Sequence, residues 1–520
     1  MLQSADLFVL FVYIVAVVAF GCWFVRKNDS SNAFMVAGGG LPGWAVGLSI
    51  FGTFLSSNTF LGVPGKAYAG NYNAFVFSLS LPIAAFLATR FFVPFYRNSG
   101  SVSAYEHLEK RFGAWARMYA VACYLLTQVA RMGTIMIGVS LVVSALTGWG
   151  TVTIIVVSGI FVTLYTLLGG IEAVIWTDVV QSIVLMLGAF VLLGMLLFGM
   201  PEGPGQAFQI ASDNDKFSLG SWDLDFTTST VWVVFLFGIF INLGNFGIDQ
   251  SFVQRYHTAD SPRAAGRAVW LGALLYVPIS LLFFFIGTAC FTYYQTHPEM
   301  LGEVRQQVAA SMLEAGDASS AEMTTSQLGD KVLPHFITTK LPYGSAGLLI
   351  AAIAAAAMSS IDTSLNSSAT VLLKDIYGRW FNADPSERQS LWVLRIGTVL
   401  MGILGTGIAI SMIGVHSILD AWWTLQGVFA GGVLGLFLLG IVSHRAGNRV
   451  AAIAVTMGVV TIGWMSLSPN SEWLPASLRC PLETKLAIVV GTVLIFLVGT
   501  ALTGVTGRSS AEADPPASPS

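Results

Sequence analysis

Charged side chains are scarce in this sequence, since Asp, Glu, Lys and Arg make up 10% of its 520 residues. A soluble domain of ordinary composition carries about 25% charged residues, so this chain lacks the polar surface that water requires. The formal net charge is -3, with no excess of basic residues, and nucleic acid is therefore excluded as a partner. The scarcity of charge excludes a soluble protein.

Cysteine is also rare, and the four cysteines are far apart: Cys22, Cys123, Cys290 and Cys480. They show neither CxxC nor metal-ligand spacing, which excludes a disulfide scaffold and a transition-metal site. We find no paired acid and base near one membrane face, as a membrane enzyme would need. The sequence therefore predicts a chain that is not an enzyme and has no organic cofactor.

Hydrophobic residues, by contrast, make up 55% of the chain and recur in runs of about 20 residues, the length of a membrane-spanning helix. We predict an all-α polytopic membrane protein with about thirteen transmembrane helices in a lipid bilayer. The predicted spans lie near residues 5–25, 41–64, 73–96, 117–146, 151–168, 174–199, 229–250, 269–292, 343–373, 392–412, 418–442, 450–467 and 484–504.

The distribution of basic residues predicts the orientation of these spans. Arg26 and Lys27 follow the first span, which lacks the basic start and the cleavage site of a signal peptide. With an external N-terminus, the loops predicted to be cytoplasmic hold the majority of the 25 Lys and Arg residues. We therefore predict an N-out, C-in protein of the cell inner (plasma) membrane, with a disordered cytoplasmic tail over 505–520.

Two spans, the second and the seventh, are interrupted more heavily than their neighbours. Their interrupting and polar residues are Gly47, Gly52, Gly62 and Pro64 in one, and Gly238, Asn242, Gly244, Asn245, Gly247 and Asp249 in the other. They lie five spans apart, as the first helices of two inverted five-helix units would. That pattern is typical of the substrate site of a secondary transporter. Close helix packing through glycine is the alternative explanation.

The ninth span carries hydroxyl side chains at helical spacing, among them Ser359, Thr363 and Ser367. Hydroxyls are neutral oxygen donors suited to a hard cation, although they also commonly bond the carbonyl four residues back. Asp362 lies in the same span, where a carboxylate costs roughly 2.5–3.5 kcal/mol on insertion scales and usually marks a functional cavity. These residues favour a cation-binding helix.

Arg131 lies near the middle of the fourth span, too deep for its side chain to reach the membrane surface. A buried guanidinium needs a partner, and its fork matches a carboxylate. The partner is either internal, for example Asp178 or Asp362, or a carboxylate on the substrate.

Several long motifs in order resemble the sodium/solute symporter family: WAVGLSIFGTFLSS, GGIEAVIWTDVVQ, DQSFVQRY, AAMSSIDTSLNSSATVLLKDIY and GGVLGLFLLG. The chain is most similar to the bacterial sodium/sialic acid symporters of that family. The resemblance implies a single transporter domain over 1–504 with a five-plus-five inverted repeat (LeuT-like). Its parts are an extra helix at 5–25, repeats at 41–199 and 229–442, and two C-terminal helices at 450–504.

The same resemblance implies a sodium site that joins two helices. Its ligands are the carbonyls of Gly52, Leu55 and Ala356 and the hydroxyls of Ser359 and Ser360. Both hydroxyls are present in this sequence.

A second sodium site, as in the sialic acid symporters, would use Asp178, Ser359, Asp362 and Thr363. Asp362 stands where those relatives have serine. It could strengthen a second sodium site, bind a proton or pair with a cation.

For the substrate, the resemblance implies a carboxylate held by Arg131 and contacts from Ser56 and Thr59. Ser78 and Phe54 replace a glutamine and a threonine of the related pocket, which makes it less polar. Asn242 and Asn245 are further candidates for hydrogen bonds to the substrate.

We therefore predict a sodium-coupled symporter that imports a small organic solute, a carboxylate such as sialic acid or another sugar acid, by alternating access. One Na+, or two, would accompany the solute, and no obligate protein partner is evident. The alternatives are a symporter of a neutral sugar, amino acid or vitamin, and a transporter-like membrane sensor.

Two further residues have open interpretations, because Trp422 and Trp423 belong either to an outer gate or to an interfacial aromatic belt. Arg255 is predicted to cap the inner end of its helix.

Overall fold

A computed structural model describes residues 4–23, 30–56, 58–314, 325–341, 344–415, 417–443, 445–469, 471 and 474–511. Within these ranges the chain is helical and forms no strand, which confirms the predicted all-α class. The predicted tail falls partly outside them, since 512–520 are not described. The last helix continues to Ala511, so the start of the predicted tail at 505 lies inside a helix.

The α-helices are α1 (Ser4–Trp23), α2 (Ser31–Val36), α3 (Gly43–Phe54), α4 (Val63–Ala69), α5 (Val76–Leu79), α6 (Leu81–Leu87), α7 (Val93–Ser99), α8 (Glu106–Phe112), α9 (Ala114–Thr147), α10 (Thr151–Phe198), α11 (Pro204–Asp213), α12 (Val231–Ile248), α13 (Gln250–Thr258), α14 (Pro262–Thr296), α15 (Pro298–Glu314), α16 (Thr325–Lys340), α17 (Ser345–Val371), α18 (Gly378–Trp380), α19 (Glu387–Ser411), α20 (Ile418–Val442), α21 (Asn448–Leu467) and α22 (Leu486–Ala511). Short π-helical turns lie at Asn58–Gly62, Ala88–Phe92 and Leu372–Tyr377, and 3₁₀ turns at Ala37–Gly39, Tyr72–Phe75 and Ala476–Leu478.

Ten helices in the described part are long and apolar enough to cross a membrane, or eleven if a bent pair is one span. The bent pair joins Gly43–Phe54 to Asn58–Ala69 at 56°. Two predicted spans correspond to shorter apolar helices, Phe8–Gly21 and Thr151–Leu167. A polytopic membrane protein is thus supported, while the count of thirteen remains a prediction.

The first interrupted span breaks where α3 ends. Leu55 adopts an extended backbone (φ -86°, ψ 102°) after Phe54, and the chain resumes helically at Asn58 in a π-helical turn. Pro64 follows this turn directly, at the start of α4. This break leaves backbone groups of both half-helices in the middle of the protein.

The second interrupted span breaks at Asp249, between α12 and α13. Its backbone is extended (φ -76°, ψ 121°), and its side chain caps α13 by accepting a hydrogen bond from the N–H of Ser251. A third break divides α10 at Gly170, whose φ of 60° is a conformation that glycine adopts readily. Both predicted broken spans are therefore broken in the structure.

The hydroxyl-rich helix α17 is central, because it packs against α1, α3, α9, α10, α13 and α19. Its alanines, among them Ala355 and Ala356, are buried and let these neighbours approach closely. Ser359, Ser360, Asp362 and Thr363 are buried as well. The polar side chains of α17 therefore face protein and are shielded from lipid.

Candidate functional site

The broken end of α3 leaves several backbone carbonyls without a partner in the helix. The last carbonyls of a helix have no partner within it. Here Thr53 O accepts from Arg131 and Phe54 O from the hydroxyl of Thr59. The N–H of Ser56 turns to Thr59 Oγ1 (3.5 Å), so no described residue donates to the carbonyls of Gly52 and Leu55. These two carbonyls are the ones expected to hold sodium.

The hydroxyls expected to complete that site lie on α17. A Cβ atom built on Gly52 would lie 3.3 Å from Ser359 Oγ, so α3 and α17 are in close contact there. Ser360 Oγ is buried and has no hydrogen-bond partner among the described residues, although its neighbour Ser364 bonds the carbonyl four residues back. A buried hydroxyl without a partner is uncommon, and it is available as a ligand. The residues present thus fit a hard cation.

The second predicted sodium set is organised around Arg255. Its guanidinium donates to Asp178 Oδ2 (2.9 Å) and to Thr363 Oγ1 (2.8 Å), and the Asp178 carboxylate also accepts from Ser359 Oγ. Ser49 Oγ donates to Asp178 Oδ2 at 2.5 Å. The prediction that Arg255 caps the inner end of its helix is wrong, because burial in the protein turns this side chain toward the Asp178 carboxylate.

Asp362 lies apart from that cluster. Its Oδ2 accepts a hydrogen bond from Tyr165 OH (2.8 Å), and that hydroxyl also lies 3.2 Å from the carbonyl of Met358. Asp362 Oδ1 has no partner among the described residues. The structure therefore joins Asp178, Ser359 and Thr363 in one network and places Asp362 on a different neighbour, Tyr165.

A cavity begins at the α3 break and runs between α9, α14 and α20. Five predicted substrate residues line it: Ser56, Thr59, Ser78, Arg131 and Asn245. Asn242 does not reach it. Its Nδ2 donates to Ser80 Oγ (3.0 Å), so its position does not support the prediction that Asn242 contacts the substrate. Asn245, by contrast, accepts a 2.8 Å hydrogen bond from Gln426 in the cavity wall.

Arg131 is the cation of this cavity. Its guanidinium donates to Thr53 O, and no carboxylate in the described ranges lies within 4.0 Å of it. The internal ion pair with Asp178 is therefore not formed, because Asp178 is paired with Arg255. A guanidinium has five N–H donors, and most of those of Arg131 remain available to a ligand.

The wall opposite the polar residues is aromatic. Phe54 packs on Phe246, Phe252 and Tyr276, with ring centroids 5.1–5.6 Å apart. Ser78 Oγ lies 2.8 Å from Ser280 Oγ. The site combines the Arg131 cation, the Asp249 carboxylate, several hydroxyls and an apolar face, which suits an organic solute that carries a carboxylate.

The α20 end of the cavity is lined by Leu419, Trp422 and Trp423. Trp423 is buried and stacks on Phe77 with centroids 5.4 Å apart, a position that the outer-gate interpretation expects. Asp330 of α16 accepts a 3.2 Å hydrogen bond from the N–H of Ile418 at the start of α20. Burial raises the pKa of Asp330 to about 6.

Comparison with known proteins identifies the family. Residues 34–458 match the profile of the sodium:solute symporter family. The chain belongs to that family. This confirms the resemblance predicted from the sequence motifs, and the chain is thus a sodium-coupled solute transporter and not an enzyme.

Two curated relatives of this symporter are bacterial. The sodium/sialic acid symporter SiaT of Proteus mirabilis is 35% identical over 458 residues, which cover 87% of this chain and 88% of the relative. The sodium/sialic acid symporter NanT of Aliivibrio fischeri is 32% identical over 497 residues, 94% and 91% of the two chains. A solved Na+-coupled sialic acid symporter in a substrate-bound outward-open state superposes with a TM-score of 0.84 at 31% identity, covering 97% and 98%.

Sequence reasoning did not select three residues that line the symporter's cavity: Asp249, Tyr276 and Ser280. Each had a signal. Asp249 follows the glycine-rich break directly, and Tyr276 and Ser280 are polar residues one helical turn apart in an otherwise apolar span. Arg255, part of a motif, was assigned to the wrong surroundings because a sequence does not show how far a helix end is buried.

Proposed function

We propose that this symporter imports a small organic acid, a sugar acid such as sialic acid, together with sodium and by alternating access. The observation that carries the proposal is Arg131, a buried guanidinium that lines the cavity with no carboxylate of the described residues within 4.0 Å, although Asp249 lines the same cavity. A substrate carboxylate would supply the partner through two parallel hydrogen bonds. Neutral sugars, amino acids and vitamins are the alternatives. Among them, an amino acid zwitterion also carries a carboxylate that fits Arg131.

Coupling follows from the position of the two sites on one helix break. Gly52 and Leu55 offer carbonyls to sodium, while Ser56 and Thr59, the next residues of the same break, face the substrate cavity. Sodium bound to Gly52, Leu55, Ala356, Ser359 and Ser360 would order this segment and so position its hydroxyls for the solute. Binding of sodium then makes binding of the solute more favourable, and binding of the solute does the same for sodium.

We propose one sodium ion per solute as the basic stoichiometry. Two donors of the second predicted site are engaged, since the guanidinium of Arg255 holds Asp178 and Thr363. A second ion at Asp178, Ser359, Asp362 and Thr363 would require the guanidinium of Arg255 to withdraw. The number of ions is measurable as the ratio of labelled sodium to labelled solute taken up. Movement of net positive charge with a monovalent acid would contradict a single ion.

The finer topology belongs to the same proposal. Thirteen spans in a five-plus-five inverted repeat, with an external N-terminus and a cytoplasmic C-terminus, account for the loop charges and for the two breaks five spans apart. They place α16 and the Trp422–Trp423 end of the cavity outside the cell. The bacterial relatives make the inner membrane the proposed location.

Counterflow in proteoliposomes tests the proposal. In proteoliposomes that contain the purified protein, counterflow is measured for each solute with sodium or choline outside. The solutes are sialic acid, hexuronates, short monocarboxylates, proline, pantothenate and glucose. We expect sodium-dependent uptake of a sugar acid, lost in Arg131→Ala, with one sodium ion taken up per solute molecule. Because one Na+ and one carboxylate carry no net charge together, this uptake should not respond to the membrane potential. Uptake of glucose that survives Arg131→Ala would contradict the carboxylate proposal.

A further inference from the structure

Ser182 of α10 carries a hydroxyl that no residue in the described part of the chain uses. The side chain is 3% exposed, and its Oγ has no hydrogen-bond partner among the described residues. Buried polar atoms in native proteins are nearly always paired, so an unpaired buried hydroxyl needs an explanation. Its surroundings supply one.

The usual solution for a hydroxyl inside a helix is a bond to the carbonyl four residues back. Thr166 and Thr177 of α10 adopt it, with distances of 2.8 Å, and so do several hydroxyls of α17. Ser182 does not. Its side chain therefore points away from its own backbone and toward a neighbouring helix.

That neighbour is the end of α3 at Gly52. A Cβ atom built on Gly52 would lie 2.8 Å from Ser182 Oγ and 3.3 Å from Ser359 Oγ, so both hydroxyls face the same side of this glycine. Asp178, one helical turn before Ser182, lies on the same face of α10, and its Cβ is 3.6 Å from that position. Two helices, α10 and α17, thus place oxygen atoms around Gly52 of α3.

We propose that Ser182 Oγ is a sodium ligand contributed by α10 to the site at Gly52. The inference rests on the proposed sodium site and adds a third helix to the α3 break and α17. A hydroxyl is a neutral oxygen donor of the kind that hard cations take, and the absence of a side chain at Gly52 leaves it access. The ion would then hold α3, α10 and α17 together, so that its release frees the α3 break from two neighbours.

The test compares Ser182→Ala with Ser368→Ala. Ser368 of α17 is likewise buried with an unpaired Oγ, but it is not among the atoms near Gly52, so its variant controls for loss of a buried hydroxyl. The sodium concentration that gives half-maximal uptake is measured at saturating solute. We expect an increase of about 3- to 10-fold in Ser182→Ala, the loss of one modest interaction, and none in Ser368→Ala.

Sodium-dependent thermal stabilisation of the detergent-solubilised protein gives a readout that does not require transport. Ser182→Ala should need a higher sodium concentration for half of the shift in melting temperature, with choline as the control ion. An unchanged sodium dependence in both assays overturns the inference, as does a change confined to the solute KM. Absence of any sodium dependence in the wild-type protein would instead overturn the proposed function, so the two failures are distinguishable.

Discussion

The guanidinium of Arg255 lies 2.9 Å from the carboxylate of Asp178, and both side chains are fully buried. The pair joins α13 to α10 in the interior of the protein. In the low-dielectric interior, each charge alone would bear a desolvation cost of several kcal/mol. The ion pair offsets that cost only when both charges are present. The arrangement explains how a membrane protein tolerates both residues, and it predicts the outcome of removing either one.

Arg255→Gln or Asp178→Asn alone should destabilise the protein by about 3–5 kcal/mol, since each leaves one buried charge uncompensated. The double variant should recover part of that loss. The melting temperature in detergent reports the change. Arg379→Gln is the matched control, because its ion pair with Glu109 is 42% exposed on the arginine side and should contribute less than about 1 kcal/mol. Equal losses in all variants would contradict the interpretation.

Arg131→Ala should abolish solute binding and uptake while leaving the protein folded, because the guanidinium lines the cavity and its one assigned bond is to Thr53 O. Arg131→Lys should retain partial activity, since it keeps the charge and loses the fork that matches a carboxylate. Solute binding by calorimetry and elution as a single monodisperse peak are the measurements. Arg90→Ala, which removes an exposed arginine, should transport normally.

The pH dependence of stability should change in Asp330→Asn. Burial raises the pKa of Asp330 from 3.8 to about 6, so the folded state favours the protonated acid. Its ionisation therefore weakens the folded state progressively as the pH rises from about 4 to 6, and the cost above pH 6 is up to roughly 3 kcal/mol. Other charges near Asp330 are Lys66, Lys331 and Asp420.

The neutral asparagine can still accept a hydrogen bond from Ile418 N–H and lacks this ionisation. We expect Asp330→Asn to raise the melting temperature at pH 7.5 and to leave it unchanged near pH 4. A difference that does not vary with pH would exclude titration of Asp330 as its cause.

Gly287→Ala should impair folding or transport, because α14 packs directly on α4, the second half of the broken span. A Cβ atom on residue 287 would lie 2.6 Å from Pro64 Cα and 2.8 Å from Ala67 Cβ, so α4 would have to move. Overpacking of this kind typically costs about 1–3 kcal/mol or more. Gly302→Ala is the control, since nothing lies within 4 Å of a Cβ there. Melting temperature and initial uptake rate are measured together.

Much of the architecture followed from local pattern. Apolar runs predicted the helices to within a few residues, as at 418–442, where the structure has Ile418–Val442. The glycine-rich spans predicted both breaks, and the breaks lie beside Leu55 and at Asp249. Such features depend on a residue's own chain neighbours, and a sequence contains that information.

The site was only partly predictable. Arg131 was selected for being charged at a depth where lipid excludes it, and Ser56 and Thr59 were selected through the family resemblance; the structure places all three in one cavity. Asn242 was selected as a polar residue of the second broken span and faces Ser80 instead. The side of a helix that faces the cavity depends on its rotation against its neighbours, which a single sequence does not state.

The sequence by itself determined that this chain is a membrane protein. It also determined which spans are interrupted and which few charges lie inside them, because these features depend on composition and on the local order of residues. The tertiary structure alone decided how those charges pair. Asp178 and Arg255 are 77 residues apart and meet in a space too apolar to hold either charge unpaired. That pairing leaves Arg131 available to the cavity, and only the packing of distant helices could assign it.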